Sequence, residues 1–521
     1  MERKNNSVVR GAVAMTVAAL LVKVIGVVYK IPLSYMLGEE GMGYFNSAYT
    51  VYGFFYIVCA SGAPKAITMI IARIDDEQQE ATSTTICRKL LYVFSVIGLS
   101  MTVLLLLLAH PLSNLIGNNR ALYALLYIAP SIFFVTLSGV IRGYLNGLSQ
   151  LAPIAISQLI EAIGKLALGL TLAHLGRKML LPLPMIAALA ILGITLGSIF
   201  SLIYLYCRAF RRKKTSLIKP TKPISIKPII AQIARIGIPI TISAAVAALS
   251  GVLDLALVIN GLRSGGYTEE AATALYGNYS TLSVPMIGLV SALLLPISSA
   301  ILPRLASLVN DEETFINSLS GVMRIGIAIA SPIMLIYGLY AFEILDILFT
   351  TESSAVGAPA LSVLSCAALL LPTLNLVNTA LEARGKTVRV LISLLCGAML
   401  KAVIGVIFIP RENFGIIGAA AGSVISYFFS LALSCLFLAD SKRHMRLGSM
   451  CLIVVLAVIC YLPTYLLIYC TNALSDSFIS MVVAIAISTL CYFAFAAPLF
   501  FPEHLKGFRY HYAQKNPAKA K

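Results

Sequence analysis

The chain has 521 residues, of which 59% are hydrophobic and only 12% are charged, and its mean hydropathy is +0.91. Because a soluble domain carries about 25% charged residues, this composition excludes a large soluble domain and indicates a polytopic membrane protein. The net charge is +17, but the basic residues lie in short segments between apolar stretches, as they do in cytoplasmic loops, which argues against a nucleic-acid-binding protein.

A membrane-spanning helix needs about 20 mostly apolar residues. Windows of that size predict an all-α membrane protein with fourteen transmembrane helices. The predicted spans are 11–36, 43–62, 87–109, 121–141, 152–174, 183–207, 231–260, 272–296, 319–342, 356–381, 388–409, 415–439, 448–470 and 477–501.

The distribution of Lys and Arg predicts the orientation of these spans. The segments on the side of the N-terminus hold 29 of these residues, and the segments on the other side hold 5. Since cytoplasmic loops carry the excess of positive charge, both termini are predicted to lie in the cytoplasm. The location predicted from this is the cytoplasmic membrane, which the resemblance given below implies to be bacterial.

The first and second groups of six spans resemble distant copies of each other. Y-F-N-S-A-Y-T-V-Y (44–52) in the first half matches Y-G-N-Y-S-T-L-S-V-P (276–285) in the second. Both halves start and end on the same side, so the repeat is parallel, a plan typical of alternating-access transporters. The predicted organisation is an N-lobe (1–207), a basic cytoplasmic linker (208–230), a C-lobe (231–440), and two further helices with a basic tail (441–521).

Motifs of catalysis and metal binding are missing from the sequence. The five histidines lie at loops or span ends, and the ten cysteines are scattered without a C-x-x-C pair. There is no P-loop and no H-E-x-x-H motif. We therefore predict a transporter rather than an enzyme, with no cofactor and no metal site.

Two lysines in the first span are the strongest functional signal. Lys23 and Lys30 are seven residues apart, so they lie about two turns apart on one helix face. A lysine that met lipid at the centre of a span would cost roughly 2.5 to 3.5 kcal/mol. We predict that both face a watery cavity and bind an anionic group of the substrate. The alternatives are an internal ion pair for Lys23 and extension of Lys30 to the outer headgroups.

Other charges within spans are candidates for counter-charges or coupling sites. Glu161 and Lys165 have the i, i+4 spacing of a helical ion pair; alternatively, Glu161 is protonated or binds a cation. Asp254 is alone in its span and is predicted to meet Lys23 or Lys30 or to bind a coupling cation, and Lys401 is likewise isolated.

Polar side chains at matching repeat positions are candidates for contacts with sugar or peptide. They include Tyr52 in the second span and Tyr276 and Asn278 in the eighth. The alternative is that these side chains form hydrogen bonds between helices.

Several of these segments together resemble a known family. K-V-I-G-V-V-Y-K-I-P-L (23–33) with G-E-E-G-M-G-Y-F (38–45) and S-G-A-P-K-A-I (61–67) is similar to the start of the stage V sporulation protein B group of Gram-positive bacteria. R-G-Y-L-N-G (142–147) and the lone Asp254 match that group too. The group belongs to the multidrug/oligosaccharidyl-lipid/polysaccharide exporter superfamily, as do the lipid II flippases.

The resemblance implies a flippase that moves an undecaprenyl-pyrophosphate-linked precursor, first of all lipid II, by alternating access in peptidoglycan synthesis or spore cortex formation. Lys23 falls where the Gram-negative type has an essential arginine, whereas Tyr29 and Lys30 replace an arginine and an aspartate. The implied partners are the undecaprenyl-linked lipid, membrane lipids and the cell-wall synthesis machinery. The implied energy source is a Na+ or H+ gradient or the membrane potential.

Three alternatives stay open at this point. The substrate is a teichoic acid precursor or a capsular repeat unit, or the chain is a multidrug antiporter of the same fold, or it is a scaffold that recruits cell-wall enzymes. Two lysines in the first span count against an antiporter of organic cations.

Overall fold

The computed structural model of the protein describes residues 2–74, 79–210, 225–438, 447–471 and 478–500. Most of the basic linker and tail predicted from the sequence lie outside these residues. The described residues form helices and short connections. The helices are α1 (Glu2–Ala60), α2 (Gly62–Ala72), α3 (Gln79–Ile116), α4 (Leu122–Ile128), α5 (Ser131–Gly147), α6 (Leu151–Lys178), α7 (Leu183–Phe210), α8 (Ile226–Ser264), α9 (Glu269–Asn278), α10 (Val284–Ser307), α11 (Glu312–Leu339), α12 (Ala341–Leu348), α13 (Thr351–Ala383), α14 (Thr387–Phe408), α15 (Gly415–Leu438), α16 (Leu447–Thr471) and α17 (Phe478–Phe500).

The structure confirms an all-α, multi-pass membrane protein. Within the described residues, nine helices are long and apolar enough to cross a membrane, or ten if one bent pair counts as a span. Every predicted span overlaps a helix. The apolar segments Met450–Leu466 in α16 and Met481–Ala496 in α17 are shorter than the nine. The number of fourteen spans stays a prediction.

The connection between the first two predicted spans, 11–36 and 43–62, is a sharp kink in α1. Gly38 has φ 63° and ψ −173°, a left-handed conformation that only glycine adopts without steric cost. The ring centroids of Tyr29 and Phe45 are 5.9 Å apart. In a straight helix these residues would lie about 24 Å apart along the axis, so α1 folds back on itself at Gly38.

The chain divides into two compact units. The first contains residues 1–285, 348–356 and 402–419, and the second contains the rest. This division does not follow the predicted lobes, whose boundaries stay a prediction.

The first unit has a core of apolar side chains from α2, α3, α5 and α8. Ile67, Leu90, Ile141 and Tyr144 are almost completely buried there. In the same unit α6 packs along α7, and α1 contacts α6, α8 and α9. This packing brings the lysine-bearing helix against helices that are more than 200 residues away in sequence.

The second unit has a separate core built mainly from α11, α13, α16 and α17. Phe315, Tyr461 and Tyr492 are fully buried in it. The Tyr492 hydroxyl donates to the carbonyl of Ala328 at 3.1 Å, so the polar end of this aromatic side chain is satisfied within the apolar core. The nine described cysteines of the chain are free thiols.

The contact between α1 and α9 depends on a glycine, and this can be tested by thermal melting in detergent. A Cβ atom at Gly277 would lie 2.1 Å from the carbonyl oxygen of Glu39, so Gly277→Ala should destabilise the protein by about 1 to 3 kcal/mol. Gly53→Ala is the matched control, because no atom lies within 4 Å of its Cβ position. It should leave the melting temperature unchanged or slightly raised. Equal melting of Gly277→Ala and wild type would contradict this close packing.

Candidate functional site

Three lysines converge in the first unit, and we call Lys23, Lys30 and Lys165 the lysine cluster. Lys165 comes from α6, and its Nζ lies 4.3 Å from the ring centroid of Tyr49 and 5.3 Å from that of Tyr29. Lys23 is exposed on α1 and lies within electrostatic range of Tyr49. Lys30 is close enough to Lys165 for the two charges to repel each other. Lys165 therefore joins the two lysines that were selected in the first predicted span.

The lysine cluster is not neutralised by carboxylates. Among the described residues, no Asp or Glu forms an ion pair with any of its three members. Lys165 instead rests on the faces of two tyrosine rings, which attract a cation through their quadrupoles but leave its net charge in place. The cluster is therefore a concentration of positive charge within membrane-length helices.

Lys30 is held by a backbone carbonyl. Its Nζ donates a hydrogen bond to the carbonyl of Ser280 at 2.8 Å, and its side chain is half-buried. The alternative in which Lys30 extends to lipid headgroups is therefore wrong for this conformation. The pairing of Lys30 with Asp254 stays a prediction.

Glu161 has a different partner from the one that its sequence spacing predicts. The i, i+4 spacing predicts an ion pair with Lys165, but Glu161 Oε2 accepts from Arg142 Nη2 at 2.7 Å. Arg142 lies on α5 and also donates to the hydroxyls of Ser157 and Ser201, at 3.1 and 3.0 Å. The planar guanidinium can make all three bonds at once, whereas Lys165 is drawn to the aromatic rings of α1. Glu161 is thus a counter-charge, and Arg142 is the cation that it neutralises.

The three polar residues proposed to contact sugar or peptide lie inside the helix packing. Tyr52 and Tyr276 are each 5% exposed, and Asn278 is 2% exposed. The hydroxyls of Tyr276 and Thr50 are 3.2 Å apart and form a hydrogen bond between α9 and α1. In this conformation the alternative interpretation, hydrogen bonding between helices, fits Tyr276. Contact of the three side chains with a substrate stays a prediction.

Asp254 and Lys401 belong to different units of the fold. Asp254 is half-buried on α8 and lies within electrostatic range of Tyr276 in the first unit. Lys401 is half-buried on α14 and belongs to the second unit. Their proposed roles as counter-charges or coupling sites stay predictions.

Charged residues at the kink of α1 form a second polar group, which we call the corner cluster (Glu40, Arg120, Glu269 and Glu270). Arg120 lies 2.9 Å from a carboxylate oxygen of Glu270 and 3.6 Å from one of Glu40. The backbone N–H of Asn119 donates to Glu269 at 2.8 Å. These contacts connect α1 and the segment before α4 to the start of α9.

Sequence reasoning did not predict that Tyr29 and Tyr49 hold Lys165 or that Arg142 pairs with Glu161. A usable signal for the tyrosines was the aromatic series at Phe45, Tyr49 and Tyr52, whose spacing of three to four residues places them on one face of α1. Arg142 entered the sequence analysis only as the first residue of the motif R-G-Y-L-N-G (142–147). Its pairing with Glu161 joins two helices and leaves no pattern within either one.

The ion pair between Arg142 and Glu161 can be tested by a double-mutant cycle. The two side chains are 12% and 20% exposed, so Glu161→Gln leaves a partly buried guanidinium uncompensated and should cost about 1 to 3 kcal/mol. The double variant Arg142→Gln/Glu161→Gln should recover part of this loss, because it removes both charges. Melting temperatures in detergent measure the effect, and Glu343→Gln, at an exposed carboxylate on α12, is the control. If the losses of melting temperature in Arg142→Gln and in Glu161→Gln add up to the loss in the double variant, the pairing is contradicted.

Comparisons with known proteins agree with this fold. The chain is 25% identical to stage V sporulation protein B of Bacillus subtilis over 425 residues, which cover 80% of each chain. A solved structure of the lipid II flippase MurJ in an inward closed conformation matches 95% of this chain and 100% of its own, with a TM-score of 0.71 at 17% identity. An inward-facing multidrug resistance MATE family transporter of the MOP superfamily matches 82% of this chain and 100% of its own, with a TM-score of 0.63 at 16% identity.

These matches confirm the resemblance stated from the sequence and identify a membrane transporter rather than an enzyme. Residues 8–309, more than half of the chain, match the family described as "Polysaccharide biosynthesis protein". The chain belongs to the polysaccharide biosynthesis protein family.

Proposed function

We propose that this protein is a flippase that moves an undecaprenyl-pyrophosphate-linked cell-wall precursor, first of all lipid II, across the cytoplasmic membrane. The observation that carries the proposal is the lysine cluster. Three ammonium groups without carboxylate partners lie on helices of membrane length, where uncompensated charge is costly. A pyrophosphate group supplies several negative charges in a small volume and would balance them.

The type of cation also fits a phosphate ligand. Lysine acts as a compact point charge with three donors that rotate freely, whereas arginine favours planar, bidentate partners. The arginine of this region, Arg142, is already paired with Glu161. The lysines are therefore the groups available to an anion, and Arg142 serves to hold α5 and α6 together.

The names of the similar proteins support the same substrate class. One solved structure of similar fold is a lipid II flippase, and the family description names polysaccharide biosynthesis. A role in sporulation is suggested by the name of the Bacillus subtilis relative. An organic cation, the substrate expected for a multidrug antiporter, would be repelled by the lysine cluster.

Transport is proposed to occur by alternating access between the predicted lobes, with both termini in the cytoplasm. Asp254 is retained as a candidate for a coupling-cation site within the first unit, and Glu161 serves as the counter-charge of Arg142. Lys401 is retained as a counter-charge of the second unit. Cell-wall enzymes and membrane lipids are the proposed partners.

The proposal predicts that loss of a cluster lysine blocks transport while the protein still folds. Lys23→Met and Lys165→Met should each lower substrate translocation about tenfold or more, since each removes a charge-assisted contact with phosphate. Complementation of a flippase-depleted strain, together with the amount of lipid-linked precursor left on the inner leaflet, measures the effect.

The matched control is Lys65→Met, at an exposed lysine on α2 outside the cluster, which should complement like wild type. If Lys23→Ala and Asp254→Ala both complement as well as wild type, the assignment of the transport site is wrong. Accumulation of a teichoic acid or capsular intermediate instead of lipid II would keep the flippase and change its substrate.

A further inference from the structure

The hydrogen bond of Lys30 ends on a carbonyl that the helix itself cannot satisfy. Between α9 and α10 the chain makes a π-helical turn at Tyr279–Ser283, which we call the π-turn. In this turn the N–H of Val284 donates to the carbonyl of Tyr279. The next donor along the chain would serve the carbonyl of Ser280, but residue 285 is proline and has no N–H.

A carbonyl without an intrahelical donor must find another partner when water is excluded. Lys30 Nζ supplies it at 2.8 Å, from a position 250 residues earlier in the chain. Two further hydrogen bonds join the same segments: Asn46 Nδ2 donates to Thr281 Oγ1 at 2.7 Å, and Thr50 bonds Tyr276 at 3.2 Å. The π-turn is thus attached to α1 by two side-chain bonds, and α9 beside it by a third. Of these three bonds, that of Lys30 involves a charged group.

We infer that the Ser280 carbonyl is a resting site for Lys30, and that the phosphate of an entering substrate takes Lys30 from it and so releases the π-turn from α1. This inference rests on the proposed function and adds to it a residue that couples substrate binding to helix movement. A phosphate oxygen carries a negative charge, whereas a carbonyl oxygen is neutral. The bond to the carbonyl has a charge on the donor alone, whereas a bond to phosphate joins two opposite charges and adds their Coulomb attraction, so the exchange favours the substrate.

The arrangement also makes the release selective. Lys165 lies close to Lys30, so an anion bound between them is attracted by both, while a neutral lipid or an organic cation gains nothing from displacing Lys30. A ligand shifts a conformational equilibrium only by its difference in affinity for the two states. Only for anions of high charge density does the free energy of binding therefore offset the loss of the hydrogen bond between Lys30 and Ser280.

The first experiment measures the binding of inorganic pyrophosphate to the full-length protein in detergent. Pro285→Ala restores an N–H that can occupy the Ser280 carbonyl, so Lys30 no longer has to be displaced. We expect this variant to bind pyrophosphate about five- to tenfold more tightly than wild type, because binding no longer breaks a hydrogen bond. Lys30→Met should bind about tenfold more weakly, and Lys65→Met should bind like wild type.

The other possible results separate failure of the inference from failure of the proposed function. If Lys30→Met weakens binding but Pro285→Ala binds like wild type, the carbonyl does not compete for Lys30 and the inference is wrong. If Lys30→Met binds normally while Lys23→Met and Lys165→Met bind weakly, Lys30 is no phosphate ligand; the inference is wrong and the proposed function stands. If all three lysine variants bind like wild type, the proposed anion site itself is wrong.

A second experiment does not depend on the folding of Pro285→Ala. Cysteines placed at Asn46 and Thr281, in a chain whose native cysteines are replaced, report whether the π-turn stays against α1. Pyrophosphate should lower the yield of the cross-link between them at least twofold when Lys30 is present and should have no effect in Lys30→Met. A yield that pyrophosphate does not change in the presence of Lys30 would overturn the inference.

Discussion

Positive charges on membrane-length helices need a partner, and the ways in which this protein provides partners organise its first unit. Arg142 is neutralised by Glu161 on the neighbouring helix. Lys165 rests on the rings of two tyrosines of α1, and Lys30 bonds a carbonyl that Pro285 leaves without a donor. Each solution joins two different segments of the chain, so the same constraint that makes these cations costly also fixes where α1, α6 and the π-turn meet.

The sequence predicted the helices well, because the length and polarity of a span are local properties. It also separated the first two spans between residues 36 and 43, where the kink lies, and it selected Lys23 and Lys30 because charge is rare in such helices. It failed where partners come from other helices. The i, i+4 rule considers one helix at a time, so it assigned Glu161 to Lys165 and could not detect Arg142, which reaches Glu161 from α5.

The fold by itself does not decide what is transported. Structures of a lipid II flippase and of a multidrug transporter both match this chain over most of its length, and a shared fold supports several substrates by changing the residues of one site. Under the proposed function, the sign of the charge at the lysine cluster separates a lipid II flippase from a multidrug transporter. Two tyrosine rings hold Lys165 without cancelling its charge, which a carboxylate in the same place would do.

The corner cluster makes one link between α1 and α9 sensitive to salt. Arg120 is 52% exposed and its partner Glu270 is 45% exposed, and ion pairs between exposed side chains contribute little to stability. Salt at physiological strength screens them over about 8 Å. Rising ionic strength should therefore weaken these ion pairs, while the close packing of Gly277 against the backbone of Glu39 continues to hold α1 against α9.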